Sequence, residues 1–270
     1  NHLYVQYPPA TTSGATEPDF NSTDPSNYVC DESACWMDLG AVGVVSASNF
    51  EAGGIIGGMD SYTNSGEGKG DITIDNNTVG ADVEGATDSY QIGGVIGYFY
   101  HESPQSSTDL DSNVSLSNNI VNGVVKGGYG VAGVAGYLRT FDYAGTTKIN
   151  LAVNNNAVNG AINAVDNSSV AERIGGIAGY LYLEYTKSTF NDNEVSSDVS
   201  VEYSGALNTL QDFGGIIGYG NHNDGTSQIN RNIFSGNLEI QANGSVNNTG
   251  GIVGYLENHF DSSTTTNEIK

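Results

Sequence analysis

The segment IGGVIGYFY, residues 92–100, returns along the chain. VAGVAGYLR begins at Val131, IGGIAGYLY at Ile174, FGGIIGYGN at Phe213 and TGGIVGYLE at Thr249; a variant, AGGIIGGMD, begins at Ala52. The glycine ahead of the branched residue marks each copy. It falls at Gly54, Gly94, Gly133, Gly176, Gly215 and Gly251, in steps of 40, 39, 43, 39 and 36 residues. A near-constant period of this kind describes one small unit stacked on itself, and it outranks every other sequence property in fixing the fold.

A second motif runs in phase with the first: ITIDNNTVGADV at 72–83, VSLSNNIVNGVV at 114–125, LAVNNNAVNGAI at 151–162, STFNDNEVSSDV at 188–199 and SQINRNIFSGNL at 227–238. Its recurring asparagine is Asn77, Asn119, Asn156, Asn193 and Asn232, and a further copy breaks off in TTTNEIK at Lys270. Both motifs alternate apolar residues with period two and are rich in Val, Ile, Phe and Tyr, which predicts strands. Gly, Asn, Ser and Thr interrupt every apolar run and exclude long helices.

Alternation places Val95, Gly97 and Phe99 on an inward face, with Ile96 and Tyr98 opposite. The glycine pairs Gly94 and Gly97, Gly133 and Gly136, Gly176 and Gly179, Gly215 and Gly218, and Gly251 and Gly254 imply close approach of another backbone or a bulky side chain across a thin core. Tyr98, Tyr137, Tyr180, Tyr219 and Tyr255 should align in one column. The recurring asparagine suits a sharp bend, because Asn tolerates the left-handed conformation. Stacked at equal height, it also suits a hydrogen-bonded ladder. The expected fold is all-β: a β-solenoid, or stack of β-arches, of about six coils of roughly 40 residues over 41–270. Residues 1–40 form an N-terminal arm and cap that carries the cysteine pair. Two- and three-sided coils both fit, and 100–113 and 203–212 are expected as loops.

Eight Lys and Arg stand against 31 Asp and Glu, a net charge of −23. Such a surface repels nucleic acid and anionic lipid. No apolar run is long enough for a membrane-spanning helix. Asn1 is expected to begin a processed or trimmed chain. Cys30 and Cys35, in CDESAC, match neither a redox motif nor half of a zinc site. A local disulfide and a bond between subunits both remain open. Candidate N-glycosylation sequons stand at Asn21, Asn76, Asn113, Asn167, Asn243 and Asn247. With the acidity and scarce lysine, they point to an extracellular protein at the cell surface.

Gly-Gly-apolar-x-Gly-Tyr paired with N-x-V-x-G-x-V resembles the GLUG-motif repeats of bacterial and archaeal surface proteins, over roughly residues 41–270, about 85% of the chain. The inserts are longer here, and the period is long for that motif. Richness in Gly and Asx, acidity and few cysteines also resemble the amyloid-like, disulfide-strengthened subunits of methanogen cell sheaths. These resemblances imply a β-solenoid in a structural, self-assembling envelope role.

No nucleophile motif, phosphate loop or dinucleotide fingerprint occurs, and basic residues and histidines are scattered, so no enzyme is expected. His101-Glu102 is taken as part of a surface loop. DLDSN (109–113) and NHNDGT (221–226) group oxygen ligands without completing a calcium loop. No cofactor is expected, with calcium at a subunit junction as the sharper idea. The tyrosine column packs under loops or neighbouring layers, or offers a face to glycans or a partner subunit. An assembly arm is expected at Leu3, Tyr4, Val5 and Tyr7. The expected partner is the chain itself, in rings, tubes or filaments, with a surface adhesin fragment that binds glycans through its tyrosine face or loops as the alternative.

Overall fold

The computed structural model describes residues 4–7, 28–30, 35–38, 44–47, 50–62, 71–87, 89–103, 111–145, 149–166, 172–203, 210–241, 245–259 and 267–269. Leu3, Asn21, Asn167, Asn243 and the segments 104–110 and 204–209 lie outside these. The chain divides into two compact units, Asn1–Gly43 and Val44–Lys270. No helix occurs among the described residues.

In the first unit, β1 (Tyr4–Tyr7), β2 (Tyr28–Cys30) and β3 (Cys35–Asp38) form an antiparallel sheet in the order β1-β3-β2. Tyr4 pairs with Asp38 and Tyr7 with Cys35, so the expected assembly arm has one edge occupied by its own chain. Cys30 lies opposite Cys35 across the β2–β3 pair. Directly opposed antiparallel residues stand about 4.5–5.5 Å apart at Cα, within the range a disulfide bridges.

The second unit is a β-solenoid of about five turns. Each coil has five short sides, where two or three were expected. Side 1 stacks Val44–Ala47, Asp82–Gly85, Val125–Gly127, Ile162–Asp166, Val199–Tyr203 and Leu238–Gln241. Side 2 stacks Ala52–Gly53, Tyr90–Gly93, Tyr129–Ala132, Glu172–Gly175, Leu210–Gly214 and Val246–Gly250. Side 3, the longest, stacks Ile56–Tyr62, Ile96–Ser103, Ala135–Asp142, Ala178–Glu184, Ile217–Asn223 and Val253–His259. Side 4 stacks Ile72–Thr73, Ser112–Ser115, Ile149–Ala152, Thr186–Asn191, Thr226–Asn230 and Asn267–Ile269. Side 5 stacks Thr78–Val79, Ile120–Val121, Ala157–Val158, Glu194–Val195 and Ile233–Phe234. Every side is a parallel sheet whose strands follow coil order.

Parallel register turns the sequence repeat into columns. Val83, Val125, Ile162 and Val199 form one inward column on side 1, and Val79, Val121, Val158 and Val195 another on side 5. All eight are buried. One coil contributes a thin apolar strip, and neighbouring coils bury it jointly at roughly 25 cal/mol per Å².

Two expectations about facing need correction. Ile96 and its column mates Ala135, Ala178 and Ile217 are fully buried rather than outward. The chain bends at residues 94–95, so Val95 and Ile96 both enter the core before alternation starts at Tyr98. His101 is no surface-loop residue either. The strand Ile96–Ser103 continues through it, with Phe99, His101 and Ser103 all inward.

Candidate functional site: columns, polar seam and open edge

The glycines act by close approach. A Cβ on Gly94 would sit 2.1 Å from Gly133 O of the next coil and 2.6 Å from Val121 Cγ1; at Gly133 and Gly176 the corresponding carbonyls lie at 2.4 and 2.1 Å. A Cβ on Gly97 would meet Gly57 O at 2.5 Å and Gln91 O at 2.6 Å, since sides 2 and 3 meet there backbone to backbone. No other residue fits either column inside the stack.

The corner between sides 4 and 5 separates two jobs that the sequence merged in one asparagine. The left-handed residue is the one before the expected ladder position: Asn76, Asn118, Asn155, Asp192 and Arg231 have φ between 55° and 61°. The ladder residues Asn77, Asn119, Asn156, Asn193 and Asn232 serve hydrogen bonding. Asn119 donates from its backbone N (2.9 Å) and Nδ2 (3.1 Å) to Asn156 Oδ1, and Asn156 repeats both bonds to Asn193 Oδ1 at 3.0 Å. Asn77 bonds likewise to Asn119, and Asn193 to Asn232. The second Nδ2 proton reaches back to a carbonyl, as in Asn156 to Leu116 O at 2.9 Å. Asn119, Asn156 and Asn193 are at most 1% exposed, so these bonds operate without competing water.

A second ladder, not expected from the sequence, flanks the same bend. Asp75, Ser117, Asn154, Asn191 and Asn230 stand two residues before the first ladder. The side-chain oxygens of Asp75, Ser117, Asn154 and Asn191 accept from the backbone N–H of Ser117, Asn154, Asn191 and Asn230 respectively, at 2.6–3.2 Å. The signal was present: NNN at 154–156, NDN at 191–193 and NRN at 230–232 show asparagine on both sides of the bend.

The tyrosine column aligns as expected. Ring centroids are 5.2 Å apart for Tyr98–Tyr137, 4.8 Å for Tyr137–Tyr180, 5.1 Å for Tyr180–Tyr219 and 5.6 Å for Tyr219–Tyr255. The first and last pairs stack, and Tyr180 stands edge-on to both neighbours. The Arg173 guanidinium lies 4.0 Å from the Tyr180 ring centroid, and it donates a hydrogen bond to the Tyr129 hydroxyl. Beside the column, Arg139 sits between Tyr100 and Tyr182 at 5.0 and 4.9 Å. Two scarce cations are thus held by ring faces. Burial pushes the Tyr129 hydroxyl up to about 12 and raises those of Tyr137, Tyr180 and Tyr219.

A polar seam lies inside the corner between sides 3 and 4. His101 Nε2 bonds with Ser112 Oγ at 2.8 Å and His101 Nδ1 with Ser61 Oγ at 3.2 Å. Ser103 donates to Asp142 Oδ1 at 2.6 Å, and the Thr140 and Thr186 hydroxyls bond at 2.8 Å. Burial lowers His101 to about 4, against weaker opposing pulls from Asp71 and Glu102; His222, in the same side-3 column, is lowered for the same cause.

The remaining candidates are scattered. Asn76 is exposed at the bend, Asn113 is an exposed strand residue that donates to Asp71, and Asn247 is exposed on the last side-2 strand. In NHNDGT, His222 is buried while Asn221 bonds outside to Tyr219 and Glu257. Among the described residues no three His, Cys, Asp or Glu converge on a metal position, and no helix is long and apolar enough to cross a membrane.

Val199 and Val201 are fully buried, while Leu238 and Ile240, one coil on, are half-buried. A Cβ on Gly251 would meet nothing within 4 Å, unlike its five counterparts. Asn232 Nδ2 donates to Phe190 O, but its bonds to a following asparagine have no counterpart among the described residues. Asn230 Oδ1 is buried without a hydrogen-bond partner among the described residues.

No family model, curated protein or solved structure matches the chain.

Proposed function

We propose that the chain is a structural, self-assembling extracellular protein of the cell envelope, a sheath, filament or surface-layer subunit that polymerises through β-strand edges. The observation that carries this reading is the in-register stack itself: every side is a parallel sheet, and the glycine and asparagine columns set the same groups at the same height in each coil. The edge of a parallel sheet of this kind is a template for another strand. A second copy that continues the same columns satisfies it, and repetition of that head-to-tail contact gives filaments or tubes. Buried ladders and edge pairing would give the polymer resistance to heat, denaturant and protease.

The likeness to GLUG-repeat surface proteins and to sheath subunits agrees with this reading. The opposed positions of Cys30 and Cys35 favour a local staple over a bond between subunits. The adhesin alternative has less support on the tyrosine face, because four of five rings pair with a parallel neighbour and Arg173 covers the fifth. Electron microscopy across a concentration series, with and without reductant, tests the proposal. Ordered polymers are expected, and they should survive reduction. Dispersed particles at every concentration would overturn self-assembly.

A further inference from the structure

We propose that the outer face of side 4 binds an acidic saccharide chain, laid along the stack. A cleft of about 360 Å³ runs there across successive coils. One wall is the column Asn113–Asn150–Lys187, and the floor is the column Ser115–Ala152–Thr189, kept low by short side chains. The proposal stands independently of self-assembly, since a single solenoid contains the whole cleft.

Two features select the ligand. The wall amides are fixed in place: Asn113 donates to Asp71 Oδ1 from its backbone N (2.8 Å) and Nδ2 (3.0 Å), and Asn150 Nδ2 donates to Asn113 Oδ1 at 3.2 Å. Amide and hydroxyl groups repeated at strand spacing suit a hydroxyl-rich polymer with its own repeat. The second feature is charge. On a chain of net charge −23, no carboxylate lines this cleft, and Lys187 does. Arg139 and Arg173 are committed to tyrosine rings and Arg231 to Asp192, whereas Lys187 is exposed and makes no ion pair among the described residues. An ammonium in a carboxylate-free cleft accepts a carboxylate, so the fitting chain is a polyuronate. Asp71 and Asp75, hydrogen-bonded by the first-coil wall and floor residues Asn113 and Ser115, limit the cationic stretch to the middle coils.

Calorimetric titration of the soluble protein with a galacturonate tetramer, beside a neutral glucose tetramer, tests this. The acidic tetramer should bind saturably and about tenfold or more tighter than the neutral one. Lys187→Gln should remove that preference, and Ala152→Trp, which fills the floor, should abolish binding with the circular dichroism spectrum unchanged. Lys187 is exposed, so its variant reports even if the tryptophan variant misfolds. Absence of saturable binding, equal binding of the neutral tetramer, or undiminished binding by Lys187→Gln overturns the proposal.

Discussion

The side-chain oxygens of Asn154 and Asn156 accept hydrogen bonds from opposite neighbours: Asn154 from Asn191 in the following coil, Asn156 from Asn119 in the preceding one. Asn155 between them takes the left-handed bend. A sharp corner removes backbone groups from the regular sheet ladder, and amide oxygens on either side replace the lost acceptors in both directions. Asn156→Ala should therefore strand the buried Asn119 N–H and Nδ2, at roughly 1–3 kcal/mol each. Asn155→Gly should change stability by well under that, because glycine adopts positive φ freely. Urea unfolding of the two variants checks the contrast; equal losses would reject the division of labour.

This corner also marks where sequence alone runs out. The period, the parallel coils and the tyrosine and asparagine columns were legible because in-register stacking demands the same residue at the same height. In NNN, however, one letter does three jobs, and nothing in the string says which asparagine bends the chain. The placement of Ile96 failed because alternation was carried through a glycine bend that resets it. His101 was hidden for a different reason. Polarity suggested a loop, although Phe99, His101 and Ser103 keep the strand's phase. The polar seam becomes visible only when Ser61 and Ser112 arrive from neighbouring strands to satisfy the imidazole.

The glycine column predicts two unlike outcomes from one substitution. Gly176→Ala places a methyl 2.1 Å from Gly215 O and 2.6 Å from a Val195 methyl, so the coils must separate. A loss of about 1–3 kcal/mol is expected from overpacking. Gly251→Ala meets nothing within 4 Å among the described residues and should leave the unfolding curve unchanged. If copies stack on the last coil, the same methyl collides with the incoming carbonyl, and polymer formation should fall sharply. Light scattering beside denaturation separates the two effects; normal polymerisation of Gly251→Ala would move the assembly contact elsewhere.

The half-buried tyrosines predict an alkaline limit. The Tyr129 hydroxyl is raised to about 12 in the folded state, against about 10 when exposed. Its neutral form is the one the fold accommodates, so the stability it supports is complete below pH 10 and is lost as pH rises from 10 towards 12. Ultraviolet titration should show a tyrosine class ionising well above the free phenol. Tyr129→Phe should shrink that class, whereas a single transition near pH 10 would contradict the burial.

His101 predicts the opposite limit. Its imidazole is held neutral between Ser61 and Ser112, at about 4 in the folded chain against about 6.5 unfolded. Above pH 6.5 both states are neutral, and the residue leaves stability independent of pH. As pH falls from 6.5 towards 4, the unfolded chain takes up the proton first, and stability drops by up to about 3 kcal/mol. Below 4 the two states carry the same charge and the slope from this group ends. Asp71 and Glu102 oppose the shift without reversing it. His222 contributes in the same direction. Urea midpoints measured from pH 7.5 to 4 should fall for the native chain and fall less for His101→Gln, whose amide retains hydrogen bonding to the serines without a titrating proton. Identical pH profiles for the two proteins would place the acid sensitivity in His222 or the carboxylates instead.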